Sequence, residues 1–228
     1  LRRHTDHDEY YVRGASTDGT RIAYQSGAEL YVHDTASDSA QRVGVDYHSP
    51  FTQRRRTFVA PDKFLQGYAL HPDGHALAMT VRGKTFTMAN WEGAALQHGE
   101  PDGVRYRLAE WLNDGLRLVS VSDEGGEEAL EVRAADGSSE PRRFDTVDIG
   151  MPTGLEVSPT DDRVLLANHR HELYVIGLDS GEGRLLDTSL YGGIRGMAWS
   201  PDGKWAAYGF AGTERTSCIK IAEVDTGE

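Results

Sequence analysis

The amino-acid sequence predicts an all-β fold, because short strand-like segments recur at a regular interval and no segment carries a long helical period. Within these segments, apolar residues alternate with polar ones or form short runs, and turn residues bound both kinds of segment. The chain of 228 residues contains 26 glycines and 38% hydrophobic residues. This composition is typical of many short strands that are joined by polar turns.

The clearest example of the repeat lies between residues 195 and 225. Pro201 fixes φ at the first corner of a Ser-Pro-Asp-Gly turn, and Gly203 can adopt a positive φ, so the turn predicts a hairpin. The predicted strands around it are Gly196 to Trp199, Lys204 to Phe210 and, after a polar loop, Cys218 to Val224.

Four weaker copies of this unit precede it, and each is marked by an aspartate in the predicted turn. The turn aspartates are Asp18, Asp73, Asp114, Asp161 and Asp202. A recurrence of roughly 40 to 45 residues, with about four short strands in each unit, is typical of a β-propeller. The sequence therefore predicts a partial propeller of five repeat units, the last of which lacks its fourth strand.

Residues 46–64 interrupt the rhythm and lengthen the first spacing. They contain Pro50, Pro61 and the basic run Arg54–Arg56, with little apolar alternation. Such a change of composition predicts a linker between residues 1–45 and residues 65–228, although a long loop within one propeller is an alternative. Because the last unit ends before its fourth strand, we expect the chain to be a fragment of a longer one. An open set of blades leaves sheet edges exposed, and closure of the five units on themselves is the alternative.

Charge and composition limit the partners that the chain could bind and the cellular compartment in which it is expected. The formal net charge of -12 argues against nucleic acid, whose phosphates require clustered Lys and Arg. Cys218 is the single cysteine, so an internal disulfide is impossible and a reducing, cytoplasmic compartment is expected. No apolar run approaches the 18 residues or so of a membrane span, and no signal peptide is evident, so no membrane partner is expected.

Two histidine-containing segments are candidate metal sites. Imidazole and carboxylate groups suit zinc or manganese, and the opening run offers His4, Asp6, His7 and Asp8. An extended segment would direct these side chains to opposite sides, so a polar loop is the preferred interpretation, and His169–His171 is interpreted as a surface turn. The sequence thus predicts no metal site and no cofactor.

Catalytic motifs are missing from the sequence. Ser200 lies in Trp-Ser-Pro-Asp, which predicts a hairpin turn rather than the Gly-x-Ser-x-Gly elbow of a serine hydrolase. No phosphate-binding glycine loop, paired cysteine motif or His-Glu-x-x-His occurs. We therefore assign no catalytic residue, and these residues alone are not expected to form an enzyme.

Several irregular runs resemble the tricorn protease family, and the resemblance covers essentially the whole chain. They are LRRHTDH (1–7), STDGTRI (16–22), YHSP (47–50), RGKTF (82–86), NWEG (90–93), WLNDG (111–115), GGEEAL (125–130) and AYGF (207–210). The resemblance implies a large intracellular serine peptidase that trims peptides released by the proteasome and assembles into a hexamer.

The family's domain order gives each part of the chain an expected place. In the family, a six-bladed propeller precedes a seven-bladed one, and catalytic domains flanking a PDZ-like domain follow. Residues 1–45 then resemble the last blade of the six-bladed propeller, residues 46–64 the crossover, and residues 65–228 the first four blades of the seven-bladed propeller. The family's catalytic residues lie in the later domains, so none is carried over to this chain.

The function implied by the resemblance is to guide or gate peptides through the channel that the inner strands surround. Polar residues at the predicted starts of inner strands are the channel candidates, and an arginine there could attract a peptide carboxylate. These candidates are Tyr68, Arg105, Thr153 and Arg195. Two alternatives keep the propeller fold but place it in another class of protein. They are a TolB-like protein-interaction propeller and the propeller of a prolyl oligopeptidase or dipeptidyl peptidase.

Overall fold

A computed structural model describes residues 2–46, 48–51 and 60–227 of the chain. The chain divides into two compact units, Leu1–Phe58 and Val59–Glu228, which are described separately below. In the described residues, five antiparallel sheets of three or four strands account for the regular structure, together with a short 3₁₀ turn at Pro61–Lys63. No described helix is long and apolar enough to cross a membrane.

The first unit contains one four-stranded antiparallel sheet in which each strand pairs with the next in the chain. Its strands are β1 (Val12–Thr17), β2 (Arg21–Ser26), β3 (Glu29–Asp34) and β4 (Ser39–Arg42). The β1–β2 turn is held by Asp18, whose carboxylate accepts hydrogen bonds from the backbone N–H groups of Thr20 at 2.9 Å and Arg21 at 2.7 Å. An aspartate that closes its own turn in this way explains why the turn recurs in the sequence.

The second unit contains four sheets, each of which is also a meander of consecutive strands. The second sheet comprises β5 (Leu65–Leu70), β6 (Ala76–Val81), β7 (Lys84–Ala89) and β8 (Leu96–His98). The third comprises β9 (Tyr106–Trp111), β10 (Arg117–Ser122), β11 (Ala129–Ala134) and β12 (Arg142–Phe144). The fourth comprises β13 (Pro152–Val157), β14 (Arg163–Asn168), β15 (Glu172–Gly177) and β16 (Gly183–Thr188), and the fifth comprises β17 (Arg195–Trp199), β18 (Trp205–Ala211) and β19 (Ser217–Glu223).

The apolar core of the second unit lies between successive sheets. Along β14, Val164 and Leu166 pack against the third sheet, whereas Leu165 and Ala167 pack against the fifth. Side chains of a strand alternate between its two faces, so one strand supplies two layers of core. A third cluster, which includes Ala78 and Trp111, joins the second and third sheets.

This stacking of sheets confirms the predicted fold class, an all-β arrangement of propeller blades of which the fifth has three strands. The boundary between the two compact units, after residue 58, falls within the predicted linker of residues 46–64. The basic run Arg54–Arg56 lies outside the described residues. The assignment of residues 1–45 and 65–228 to two different propellers stays a prediction.

Candidate functional site

The first strands of the four sheets in the second unit adjoin one another in succession, β5 beside β9, β9 beside β13 and β13 beside β17. They are therefore the inner strands of the blades. Each pairs with the second strand of its sheet through one irregularity of register. Bulges of this kind bend a strand and redirect its side chains, and they are common next to functional sites.

The register defines which inner-strand residues are equivalent. The last residue of each inner strand pairs with the second strand: Leu70 with Leu77, Trp111 with Leu118, Val157 with Val164, and Trp199 with Ala206. Four residues before those last residues stand Gln66, Arg107, Thr153 and Arg195. We call these four residues the inner polar row.

The inner polar row includes two of the four channel candidates predicted from the sequence. Thr153 and Arg195 belong to it, and both are exposed. Arg105 immediately precedes β9, and Tyr68 lies in the middle of β5 with 68% of its surface exposed. The role of all four as channel residues stays a prediction.

Tyr68 and Arg105 meet in a cavity of about 240 Å³ between β5 and β9. Gln66 and Arg107 of the inner polar row also line this cavity, as does Glu110. The cavity is therefore lined by residues that carry phenol, amide, guanidinium and carboxyl groups. Thr153 and Arg195 are not among its lining residues.

The arginines of the site differ in their partners. Arg107 makes an ion pair with Glu128, in which the distance from Nε to Oε1 is 3.0 Å, and its Nη2 donates to the carbonyl of Pro152 at 3.1 Å. The backbone of Arg105 exchanges hydrogen bonds with Asp123. Within the described residues, the guanidinium groups of Arg105 and Arg195 form no ion pair. These two cations are thus available to an anionic ligand.

Two equivalent carboxyl groups stand near the other end of the inner strands. Glu110 and Glu156 each immediately precede the last residue of their strand. Burial, assisted by the nearby charge of Glu156, raises the pKa of Glu110 to about 7. Partial loss of hydration also raises the pKa of Glu156, although this residue is more exposed than Glu110. At neutral pH, Glu110 is divided between its acid form, which donates a hydrogen bond, and its carboxylate form, which accepts one.

Ser200 and the equivalent Ser158 both hold turns. Ser200 Oγ donates to Asp202 Oδ1 at 2.5 Å and accepts a hydrogen bond from the backbone N–H of Trp205 at 2.9 Å. Ser158 Oγ is buried and accepts a hydrogen bond from the backbone N–H of Thr160 at 3.4 Å. Both contacts stabilise the β-hairpin between the first and second strands of a blade, as the turn pattern predicts.

Sequence reasoning missed Gln66, Arg107 and Glu110. A usable signal exists for Gln66, because it precedes a glycine inside an inner strand, as Thr153 and Arg195 also do. In β9 the corresponding position is Leu108, which has a φ of 51°. That substitution hides Arg107 from a search for the glycine pattern.

Comparisons with known proteins agree with this architecture. Residues 65–228 match the family model described as the tricorn protease second beta propeller domain. A "Tricorn protease homolog" of Saccharolobus solfataricus is 33% identical over 225 residues, which are 99% of this chain and 20% of that relative. The chain thus spans about one fifth of the length of this relative.

Solved structures share the fold. The crystal structure of the tricorn protease superposes with a TM-score of 0.66 at 21% identity, covering 100% of this chain and 22% of that one. TolB from Acinetobacter baumannii superposes with a TM-score of 0.60 at 14% identity, covering 96% of this chain and 53% of that one. These structural likenesses establish a shared fold, whereas the family model and the sequence identity establish descent. The chain therefore belongs to the tricorn protease family, and its residues 65–228 correspond to the second propeller of that family.

Proposed function

We propose that this chain is a non-catalytic propeller segment of a cytoplasmic, tricorn-like serine peptidase, and that it guides or gates peptides towards catalytic domains elsewhere in the parent protein. The observation that carries the proposal is the placement of polar side chains on adjoining inner strands, with exposed guanidinium groups at Arg105 and Arg195. The parent protein is proposed to contain PDZ-like and catalytic domains and to assemble as a hexamer.

The chemistry of the inner strands suits an extended peptide. A peptide offers amide and carbonyl groups along its length, and polar side chains can pair with them without selecting a sequence. Arg105 and Arg195 attract a carboxylate through charge-assisted hydrogen bonds. Glu110 and Glu156 provide acidic groups for N–H donors at the opposite ends of their strands. Binding of this kind is weak and reversible, so a bound peptide can dissociate and move along the channel.

A TolB-like interaction propeller is the second candidate, because TolB shares this fold. It differs in its ligand, since a scaffold binds a folded partner and not a short flexible peptide. Peptide binding and peptide hydrolysis therefore distinguish the two functions.

The test measures binding of a fluorescein-labelled, unstructured peptide of about ten residues by fluorescence anisotropy. We expect the Arg105→Ala/Arg195→Ala double variant to bind about fivefold more weakly, the loss of roughly 1 kcal/mol from exposed charge-assisted contacts. Arg215→Ala is the matched control, because Arg215 is an exposed arginine in the loop between β18 and β19. An amidated peptide should bind wild type as weakly as the free-acid peptide binds the double variant.

A second arm compares hydrolysis of short fluorogenic peptides by this chain and by a longer form that includes the proposed catalytic domains. Activity in the longer form alone supports a guiding role. Hydrolysis by the 228-residue chain itself contradicts the non-catalytic assignment. Equal peptide binding by wild type and the double variant rejects the role of the two arginines.

A further inference from the structure

Three side chains that are distant in the sequence meet in the first unit. His33 lies on β3, Asp38 lies in the turn between β3 and β4, and His4 lies in the segment before β1. One donor atom from each lies within 4.8 Å of the others. His4 Nδ1 is 2.6 Å from Asp38 Oδ1, and His33 Nε2 is 3.5 Å from the same oxygen.

His33 is the observation that points to a ligand. Its exposed fraction is 3%, and its Nδ1 is buried without a hydrogen-bond partner in the described residues. Its Nε2 faces Asp38 Oδ1 at a distance that is too long for an ordinary N–H···O hydrogen bond. Burying an imidazole without hydrogen bonds costs free energy. A bond from Nε2 to a cation beside Asp38 would offset the part of that cost that falls on Nε2, whereas Nδ1 diverges from Nε2 around the ring and cannot bond to the same ion.

The donor set and its spacing suit a divalent metal. Two imidazole nitrogens and one carboxylate oxygen form a zinc site with one open position. Zinc at about 2.0–2.1 Å from each ligand separates neighbouring donor atoms by roughly 3.3 Å. The separation of 3.5 Å between His33 Nε2 and Asp38 Oδ1 is close to that value, whereas the hydrogen bond of 2.6 Å between His4 Nδ1 and Asp38 Oδ1 must lengthen by roughly 0.7 Å to admit the ion. The other oxygen of Asp38, Oδ2, forms an ion pair with Arg2. A contact of this kind, to a ligand atom that does not touch the metal, orients the ligating carboxylate.

We propose that His4 Nδ1, His33 Nε2 and Asp38 Oδ1 bind a Zn²⁺ ion whose fourth ligand is water. His4 is exposed, so the fourth position opens towards solvent. The ion would fasten the segment that precedes β1 to the β3–β4 hairpin. Of the four residues that the opening run offers as ligands, only His4 belongs to the proposed site. His7 instead contacts the hydroxyl of Tyr24, with its Nε2 3.1 Å from the oxygen.

A second group of potential ligands in the other unit serves as an internal comparison. His71, Asp73 and His75 also bring their donor atoms together. However, His71 Nε2 donates to the carbonyl of Gly115 at 2.9 Å, and its Nδ1 accepts from the backbone N–H of Asp73 at 3.0 Å. One ring nitrogen of His71 is therefore occupied by its own turn and the other by the β9–β10 turn, and we assign no metal to this group.

The experiment titrates Zn²⁺ into the untagged, chelator-treated 228-residue chain by isothermal titration calorimetry. We expect one equivalent to bind, and Co²⁺ to give the visible absorption bands of a four-coordinate site. His4→Ala and Asp38→Asn should each weaken Zn²⁺ binding by about tenfold or more. His75→Ala is the matched control, because it removes an exposed histidine outside the proposed site.

Because His33 is buried, its replacement can unfold the sheet, so wild-type chain labelled with ¹⁵N provides the test of this ligand. Zn²⁺ should shift the ring-nitrogen resonances of His33 Nε2 and His4 Nδ1 and leave those of His71 in place. Absence of stoichiometric Zn²⁺ binding overturns the proposal. Equal Zn²⁺ affinity of the wild type, His4→Ala and Asp38→Asn chains, or unchanged His33 resonances in the presence of Zn²⁺, also overturns it.

Discussion

The stability of the chain depends on the protonation of Glu110, which lines the cavity between β5 and β9. Its pKa is raised from 4.5 to about 7 by burial and by the charge of Glu156. The unfolded carboxyl releases its proton near pH 4.5, whereas the folded one keeps it up to about pH 7. The folded state therefore binds more protons between these values, and the free energy of unfolding falls as pH rises.

We predict that Glu110→Gln, which cannot ionise, stabilises the chain relative to wild type more at about pH 8 than at about pH 5. One pKa unit corresponds to about 1.4 kcal/mol, and solvent screening of the partly exposed carboxyl reduces the difference to about 1–2 kcal/mol. Urea denaturation at the two pH values measures it. Glu124→Gln, in an exposed loop, is the control. Equal stabilisation at both pH values contradicts the assigned shift.

At the residue scale, the sequence identifies some members of the inner polar row and misses others for a physical reason. Thr153 and Arg195 stand where a glycine-containing inner strand begins, so a pattern search finds them. Gln66 and Arg107 require the strand register, because a bulge shifts which residue faces a given partner. The elevated pKa of Glu110 depends on burial between blades, which no local pattern reports.

At the scale of elements, the turn glycines give a matched pair of tests. Gly203 and Gly74 occupy equivalent Pro-Asp-Gly turns with φ of 69° and 75°. A Cβ at Gly203 would overlap Thr160 Oγ1 in the neighbouring blade, whereas a Cβ at Gly74 meets nothing within 4 Å. An alanine would therefore have a strained backbone with positive φ at both positions. At Gly203 its Cβ would also clash with Thr160.

We predict that Gly74→Ala costs about 1–2 kcal/mol, the penalty of a left-handed backbone for a residue with a Cβ. Gly203→Ala should cost about 1–3 kcal/mol more, since Thr160 and the turn must move apart. Equilibrium denaturation in urea measures both free energies of unfolding. Equal costs would mean that the turn of the fifth sheet does not pack against Thr160.

Turn chemistry explains why hairpins are the most predictable elements. Aspartate and glycine act on their own neighbours, so the sequence places the turn of the last sheet between two strands, as the structure does. Strand beginnings are less predictable. The expected inner strand at Tyr68 begins at Leu65, because the bulge near Gly67 allows pairing to continue past the point where apolar alternation fails.

At the scale of the whole molecule, repetition made the architecture predictable from the sequence. Each unit repeats one turn and its flanking strands, and stacking of such units is the way in which their apolar faces are buried. The cluster of His4, His33 and Asp38 was not predictable in this way. Its members belong to three different elements, and only the pairing of β3 with β4 brings two of them together.

The fifth sheet leaves one face open in the second unit. Ala222 of β19 packs in the core shared with the fourth sheet, and Lys220 pairs with Asp187 at 2.7 Å. The opposite face carries Ile219 and Ile221, which are 78% and 66% exposed, beside Trp205 at 43%. The third and fourth sheets bury such rows against a neighbouring sheet on each side, so the open face of the fifth sheet is suited to association.

We predict that the chain self-associates through this face, because burying exposed isoleucines releases about 25 cal/mol for each Å² of apolar surface. The Ile219→Glu/Ile221→Glu variant should sediment as a monomer at concentrations where wild type forms larger species. Leu116→Glu is the control, since Leu116 is a single turn residue that is 71% exposed. Sedimentation velocity over a range of concentrations measures the effect. A wild-type chain that is monomeric at every concentration contradicts the prediction. In that case, the apolar surface of Ile219, Ile221 and Trp205 is too small to offset the entropy that two chains lose on association.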